Sequence, residues 1–456
     1  MQRDADQLTE QALRAAIHAA EGRFADGDRS GALADLEEVR RHAPRGSRVW
    51  AETMADIAVV LHAAGELYDA YAHARRALDA EPGLEEARET AEICAAALGL
   101  GPQAAARGER ILIVVDNFFP SSGGTEMLAE DLALSLTRLG HPAEILCRAH
   151  PQRVPGWKGI PVHEMQPAFA DRALAGLLAE RRFGGVIGIS VPMGFPVLGI
   201  LRQPQLLAGM RSLVVPCVNE EVDATVRSSL GFLREYARLL ARVDAVGYSS
   251  HGGWDRRLLD ELGVPGVYLP NAVPSVQPSG SIREALEVSR STQIILHVAN
   301  FWPQKNHLAF LEEMRCAPGD WRLVCIGGPS SDHPQLAHEV ATAAARDARV
   351  TLLGAGSREE VAGAMLQSDL LVLPSIAEAT PLVLLEAMSN GLPWIASDTC
   401  GSAPELAGGT IVSQGGFAAE IERLLSQPAE RALLRAAGRA AYVAGYSWEA
   451  VAPRYL

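Results

Sequence analysis

The chain has no paired-cysteine motif. Its six cysteines stand at 94, 147, 217, 316, 325 and 400, with no CxxC pair and no Cys/His spacing suited to a metal. That scatter argues against a disulfide framework and fits free, buried thiols in a reducing compartment. The opening residues, MQRDADQLTEQALRAA, are polar and lack an apolar centre, so no signal peptide is expected. No run of about 20 apolar residues occurs, so no membrane span is expected. Long Lys/Arg runs are missing as well. With a formal net charge of −14, the chain is a poor partner for nucleic acid or anionic lipid. Together these features predict a cytoplasmic location.

What is present is an ordinary globular composition, 48% hydrophobic and 21% charged over 456 residues. That length predicts about two to four domains. Residues 1 to about 100 are rich in Ala, Leu, Glu and Arg and read as helices. They also repeat. Gly27, Ala32, Val39 and Pro44 recur 38 residues later as Gly65, Ala70, Ala77 and Pro82. This resembles the tetratricopeptide repeat, where small residues let paired helices approach closely. Met54, Ile57, Ala58 and Leu61 depart from that family's usual Trp, Leu, Gly and Tyr, and residues 84–98 read as a capping helix.

GLGPQAAARGER (99–110) reads as a linker. ILIVVDNF (111–118) then suits a buried parallel strand. An amphipathic helix pattern follows SSGG (121–124) and stops at Gly140. Further strands are expected at 143–148, 185–190, 212–218, 245–250 and 266–270. A polar stretch, AVPSVQPSGS (272–281), interrupts the series. A second series follows at 293–300, 322–328, 349–354, 369–375 and 393–398. Alternating strands and helices predict two doubly wound α/β domains, 109–275 and 290–440, facing a cleft.

The richest segment is DLLVLPSIAEATPLVLLEAMSNGLPWIASD, residues 369–398. A strand ends near Pro374, Glu378 sits on the loop that follows, and Pro381 suits the first turn of a helix. The amides of Leu382 and Val383 then point out of the helix start, which binds phosphate oxygens without a charged side chain. Glu386, eight residues after Glu378, lies one turn inside the helix. A carboxylate there accepts two hydrogen bonds from a cis-diol such as ribose.

This segment is similar to the EX7E motif of retaining GT-B glycosyltransferases of the family 4 type. The resemblance runs from about 111 to 456. Gly123-Gly124-Thr125-Glu126 resembles the family's Gly-rich loop, LPNAVP (269–274) its approach to the interdomain hinge, and ANFWPQKNH (299–307) its donor diphosphate motif. YSWEAVAPRYL (446–456) resembles the terminal helix that crosses back onto the first domain. The resemblance implies a nucleotide-diphosphate-sugar donor, with Glu386 on its ribose and Glu378 near its sugar hydroxyls. Lys305 would neutralise the leaving diphosphate, so Lys305 and Glu378 are the catalytic candidates. Gly123, Gly124, Asn300 and Thr380 would complete the donor site, with Leu353 and Gly354 beside the nucleobase and the amides of Leu382 and Val383 on the phosphates. No metal or other cofactor is implied.

Two departures stand out. The family's Arg is replaced by Asn300, which removes a permanent charge. The family's first-domain His has no counterpart, since SLVVPCVNEE places Asn219 at that strand end, with Glu220 and Glu221 behind. Asn219, Glu220 and Glu126 are the candidate acceptor contacts. Plainer readings stay open: Glu386 as an exposed helix residue, Glu378 and Lys305 as solvated charges, Gly123-Gly124 as a tight turn. His297, inside an apolar strand, reads as core, and Asp26-Gly27-Asp28 reads as a turn. The competing function is a degenerate transferase kept as a scaffold. The repeats point to a protein or peptide acceptor, a docking partner or a homodimer.

Overall fold

The structure is a computed structural model that describes residues 10–44, 46–97, 110–120, 123–166, 177, 183–202, 210–330 and 333–456. The expected linker, apart from Arg110, lies outside these residues, as do Ser121 and Ser122. Five helices come first: α1 (Glu10–Ala25), α2 (Arg29–His42), α3 (Arg48–Ala63), α4 (Leu67–Ala80) and α5 (Glu85–Ala97). Each contacts the next in the chain. Their close approach follows from the small residues of the repeat, for Ala32, Ala70 and Ala77 are fully buried. Gly27 and Gly65 take φ of 89° and 83° at the two equivalent turns, a conformation that glycine adopts without strain. Asp28 of the DGD turn caps α2, accepting from the Gly31 amide at 2.9 Å.

The helical region is fastened to the first α/β domain through α4. Arg242 Nη2 donates to Asp69 Oδ2 at 2.9 Å, and Arg76 Nη1 donates to the Ala241 carbonyl at 2.8 Å. Asp244 closes the joint by taking the Ser212 amide at 2.8 Å and meeting Arg76 at 3.4 Å.

The first sheet has eight strands: β1 (Arg110–Val115), β2 (Ala143–Arg148), β3 (Gly156–Trp157), β4 (Ile160–Met165), β5 (Phe183–Ser190), β6 (Arg211–Pro216), β7 (Ala245–Tyr248) and β8 (Val267–Tyr268). Their order is β3-β4-β2-β1-β5-β6-β7-β8, and all neighbours are parallel except β3 with β4. The second sheet has six parallel strands: β9 (Gln293–Val298), β10 (Trp321–Ile326), β11 (Val350–Gly354), β12 (Leu370–Leu373), β13 (Trp394–Ser397) and β14 (Gly409–Val412), ordered β11-β10-β9-β12-β13-β14. The central strands are apolar on both faces because helices cover both sides. β4 and β14 went unread in the sequence. β4 alternates buried and exposed residues and contains Pro161, while β14 is a half-exposed edge strand, so neither shows a continuous apolar run.

The chain returns to the first domain at its end. Trp448, Val451, Ala452 and Tyr455 lie in one buried cluster with Ile113 and Leu132. Tyr442 Oη donates to the Val273 carbonyl at 3.1 Å beside this crossing. The two α/β domains also meet directly. Helix α6 (Gly124–Arg138) of the first carries Met127 against the apolar core of the second. Glu405 of the second domain accepts from Ser250 Oγ at 2.6 Å and from the His251 and Gly252 amides at 3.1 and 2.6 Å.

Candidate active site

The order of the second sheet reverses between β9 and β12. The chain runs outward through β10 and β11, then returns to β12 and runs the other way. Ligands of such sheets lie in the crevice at the carboxyl ends of the two strands where the order reverses. β9 delivers Asn300 and, through a short turn at Pro303–Lys305, Lys305. Asn306 ends that turn in the left-handed region, at φ 57°. β12 delivers Ser375 and Glu378, followed by the helix Leu382–Asn390.

The two loops form one unit. The Ile376 amide donates to the Gln304 carbonyl at 2.8 Å. Lys305 Nζ forms an ion pair with Glu378 Oε1, and Ser375 Oγ donates to the same oxygen at 2.8 Å. Both charged side chains are part-buried. Glu378 is further fixed through its carbonyl, which accepts from the Gly401 amide at 3.2 Å. Lys305 is one of two lysines among the 41 basic residues, and the other, Lys158, lies on the β3–β4 hairpin. A compact ammonium is therefore placed here by a chain that almost everywhere else uses arginine.

The helix that starts at Leu382 has Pro381 as its N-cap and no side-chain cap. Pro381 thus precedes the first helical residue rather than occupying it. The Leu382 and Val383 amides have no hydrogen-bond partner among the described residues. They keep the partial positive charge of an unsatisfied helix start. One turn on, the Glu386 carboxylate has no hydrogen-bond partner among the described residues either. Burial pushes its pKa up to about 6, partly offset by Arg358 and reinforced by Asp131.

Asn300 and Thr380 turn out to be engaged. Asn300 Oδ1 accepts from the Gly328 amide at 3.0 Å, tying the end of β9 to the loop after β10. Its amide nitrogen is left as the only donor on that side chain. The crossing is close enough to require glycine at 327, where a Cβ would lie 1.9 Å from the Ala299 carbonyl. Thr380 Oγ1 shares a 2.8 Å hydrogen bond with Ser249 Oγ of the first domain, and its carbonyl accepts from Asn271 Nδ2 at 3.3 Å. Leu353 is 39% exposed at the end of β11, and Gly354 follows at φ 77°, its carbonyl accepting from the Gly327 amide at 2.8 Å.

In the first domain, Gly123 caps α6 and Gly124 is its first residue. Glu126 folds back so tightly that a Cβ on Gly123 would meet its Oε2 at 2.8 Å. Burial raises the Glu126 pKa, and nearby Asp116 adds to the rise. The Asn219 side chain is spent on local structure, since its Oδ1 caps the helix Glu220–Arg227 through the Val222 amide at 2.8 Å. Glu220 and Glu221 are exposed. His297 and His307 are both buried, with ring centres 4.5 Å apart. Burial lowers their pKa values to about 4 and about 2, so both are neutral at pH 7.

Three residues here were not singled out in the sequence. Asp116 sits where the order of the first sheet reverses, accepting from Ser190 Oγ at 2.5 Å and the Val191 amide at 3.3 Å. An acid closing the apolar run ILIVV was its signal. Asp131 and Arg358 form a bidentate pair between the domains, at 2.6 and 3.0 Å. They lie 227 residues apart, and no local pattern announces them.

Known proteins resemble this chain in sequence and in fold. A family model described as "Glycosyl transferases group 1" matches residues 292–427. A UDP-Gal:alpha-D-GlcNAc-diphosphoundecaprenol alpha-1,3-galactosyltransferase of Escherichia coli is 32% identical over 143 residues, 30% of this chain and 36% of that protein. A D-inositol 3-phosphate glycosyltransferase of Rhodococcus erythropolis is 29% identical over 238 residues, 49% of this chain and 53% of that protein. The chain thus matches between about a third and a half of the length of these relatives. Among solved structures, the sucrose-phosphate synthase of Thermosynechococcus elongatus superposes with a TM-score of 0.65 at 19% identity, covering 76% of this chain and 97% of that one. The HepE protein of Anabaena, solved with UDP and glucose, gives a TM-score of 0.62 at 16% identity, covering 76% and 98%. Residues 292–427 therefore match the glycosyl transferases group 1 family, within a two-domain α/β fold of the GT-B type.

Proposed function

We propose that the chain is a retaining glycosyltransferase that moves a sugar from a nucleotide-diphosphate donor to an acceptor hydroxyl. The observation that carries this reading is the bare start of the Leu382 helix, with Lys305 held on the preceding loop by Glu378 and with Glu386, unpartnered among the described residues, one turn on. Phosphate oxygens suit the two free amides, and a ribose diol suits the free carboxylate. The names of the relatives support the same class of chemistry.

In this reading the second domain binds the donor and the first binds the acceptor. Entry of the diphosphate draws Lys305 from Glu378 to the phosphates and leaves Glu378 for the sugar hydroxyls. The acceptor oxygen attacks the anomeric carbon on the face from which the diphosphate departs. The bond from that carbon to the phosphate oxygen breaks, the new glycosidic bond forms, and a leaving phosphate oxygen takes the acceptor's proton. Lys305 and the helix start stabilise the charge that develops on the diphosphate. The step calls for no metal and no carboxylate pair. Asn300 contributes a neutral donor where the family has Arg, which leaves Lys305 as the cation of the site.

A screen of UDP-, GDP-, dTDP- and ADP-sugars tests this. One donor is expected to raise the melting temperature and to be slowly hydrolysed. Glu386→Ala should lose that binding. Lys305→Ala should retain much of the binding but lose about 10²–10³-fold in turnover. Stabilisation by none of the four donors, from a folded protein, would point instead to the scaffold reading.

The state of Glu386 sets a pH dependence. Its pKa of about 6 lies above the ordinary 4.5, so its carboxylate gains a proton as pH falls through 6. Donor affinity should fall about tenfold between pH 7.5 and 5, and Glu386→Gln should show weak binding without that slope. Stability runs the opposite way. An acid with a raised folded pKa contributes fully below the unfolded value and loses that contribution as pH rises through the folded one. Glu386→Gln should therefore stabilise the donor-free protein at pH 7.5, by up to about 2 kcal/mol, and have little effect at pH 4. A variant without a stability gain at pH 7.5 would contradict this.

The helical region resembles tetratricopeptide repeats, and we read it as a docking surface for a protein or peptide acceptor or partner. Removal of residues 1–97 should leave donor hydrolysis intact and slow transfer to the true acceptor. Unchanged transfer and unchanged assembly would remove that role.

A further inference from the structure

The bidentate pair between Asp131 and Arg358 joins the two domains beside the carboxylate assigned to the ribose. Asp131 lies on α6 and is 5% exposed, and both of its oxygens are taken by Arg358. Four residues earlier, on the same face of α6, Met127 packs into the core of the second domain. Arg358 opens the helix Arg358–Gln367, which packs against the helix of Glu386. Glu386 is near enough to feel the charge of both residues. Three acids thus act on one guanidinium: Asp131 holds it, Glu130 on the same helix is taken by Trp157 and Lys158 at 2.6 Å each, and Glu386 lies across from them on the second domain. Glu386 is left unpartnered among the described residues and free to accept.

We propose that Arg358 is a shared counter-ion that ties donor binding to domain closure: Asp131 holds it off Glu386 when the domains are closed, and opening hands it to Glu386, where it competes with the donor's ribose. The inference rests on the reading of Glu386 as the ribose carboxylate. Its physical basis is the cost of leaving a part-buried guanidinium without a partner. Once α6 moves away, Glu386 is the acid within reach, and an Arg fork saturates both of its oxygens. A nucleotide then binds the closed arrangement better than the open one, and that difference in affinity is what lets a ligand shift the equilibrium. Release is favoured by the same exchange in reverse. Asp131 and Arg358 are positioning residues in this scheme, because neither touches the substrate.

The test is titration calorimetry with UDP, GDP and ADP, together with the 2′-deoxy counterpart of whichever binds. It is run on the full chain, on Asp131→Asn, on the double variant Asp131→Asn/Arg358→Gln and on Glu386→Ala, each checked for folding by its melting curve. Asp131→Asn should bind about tenfold more weakly and lose the preference for the ribonucleotide over its deoxy form. The double variant, with no cation left to compete, should recover both to within about twofold of the natural chain. A double variant as weak as Asp131→Asn would mean that the pair only clamps the domains, and would overturn the inference. So would an Asp131→Asn variant that binds normally. Glu386→Ala separates the two levels of the argument. If it binds like the natural chain, the ribose reading fails and this inference with it. If it loses binding while the double variant is not rescued, the inference alone falls.

Discussion

The helix beginning at Leu382 starts on bare amides, and the second domain is arranged around that start. Pro381 cannot donate a hydrogen bond, and no side chain caps the helix. An unsatisfied helix start is a fixed positive site that needs no rearrangement when an anion arrives. Everything that borders it is held from elsewhere. The loop after β9 is tied to the loop after β12 through Gln304 and Ile376, and to the loop after β10 through Asn300 and Gly328. Lys305 and Glu378 neutralise each other. That pair satisfies two charges in a part-buried crevice.

The same crevice is closed by the other domain. Thr380, two residues past Glu378, is bonded to Ser249 and Asn271, so the loop after β12 and the first domain are mechanically joined. Glu405 sits on a turn of the first domain that offers two amides and a hydroxyl. Asp131 and Arg358 add a charged contact near Glu386. The terminal segment around Trp448 crosses back to bury itself in the first domain. Motion of one domain against the other therefore changes contacts at the proposed donor site.

Much of this was legible in the sequence, where an effect is local. The β2 strand was read to the residue because its apolar run is bounded by Pro142 and ends at Arg148. The strand, loop and helix carrying Glu378 and Glu386 were read because run length, Pro381 and the spacing of the acids all lie within 30 residues. β4, whose buried residues are broken up by partly exposed ones, and the half-covered edge strand β14 were not, since both lose the continuous apolar signal. Asn219 was read as a contact for the acceptor, but an Asn before an acidic helix start is also a capping pattern, and the structure uses it so. Asp131 with Arg358, and Ser249 with Thr380, are products of domain apposition, and no window of sequence contains both members of either pair.

The central claim is that the start of the Leu382 helix, with Lys305, is the seat of the donor diphosphate. A crystal structure of the chain with the nucleoside diphosphate that binds it tests this most directly. Phosphate oxygens are expected within hydrogen-bonding distance of the Leu382 and Val383 amides and of Lys305 Nζ, with the ion pair to Glu378 broken and the ribose hydroxyls on Glu386. A diphosphate bound elsewhere, or bound while Lys305 still grips Glu378, would contradict it.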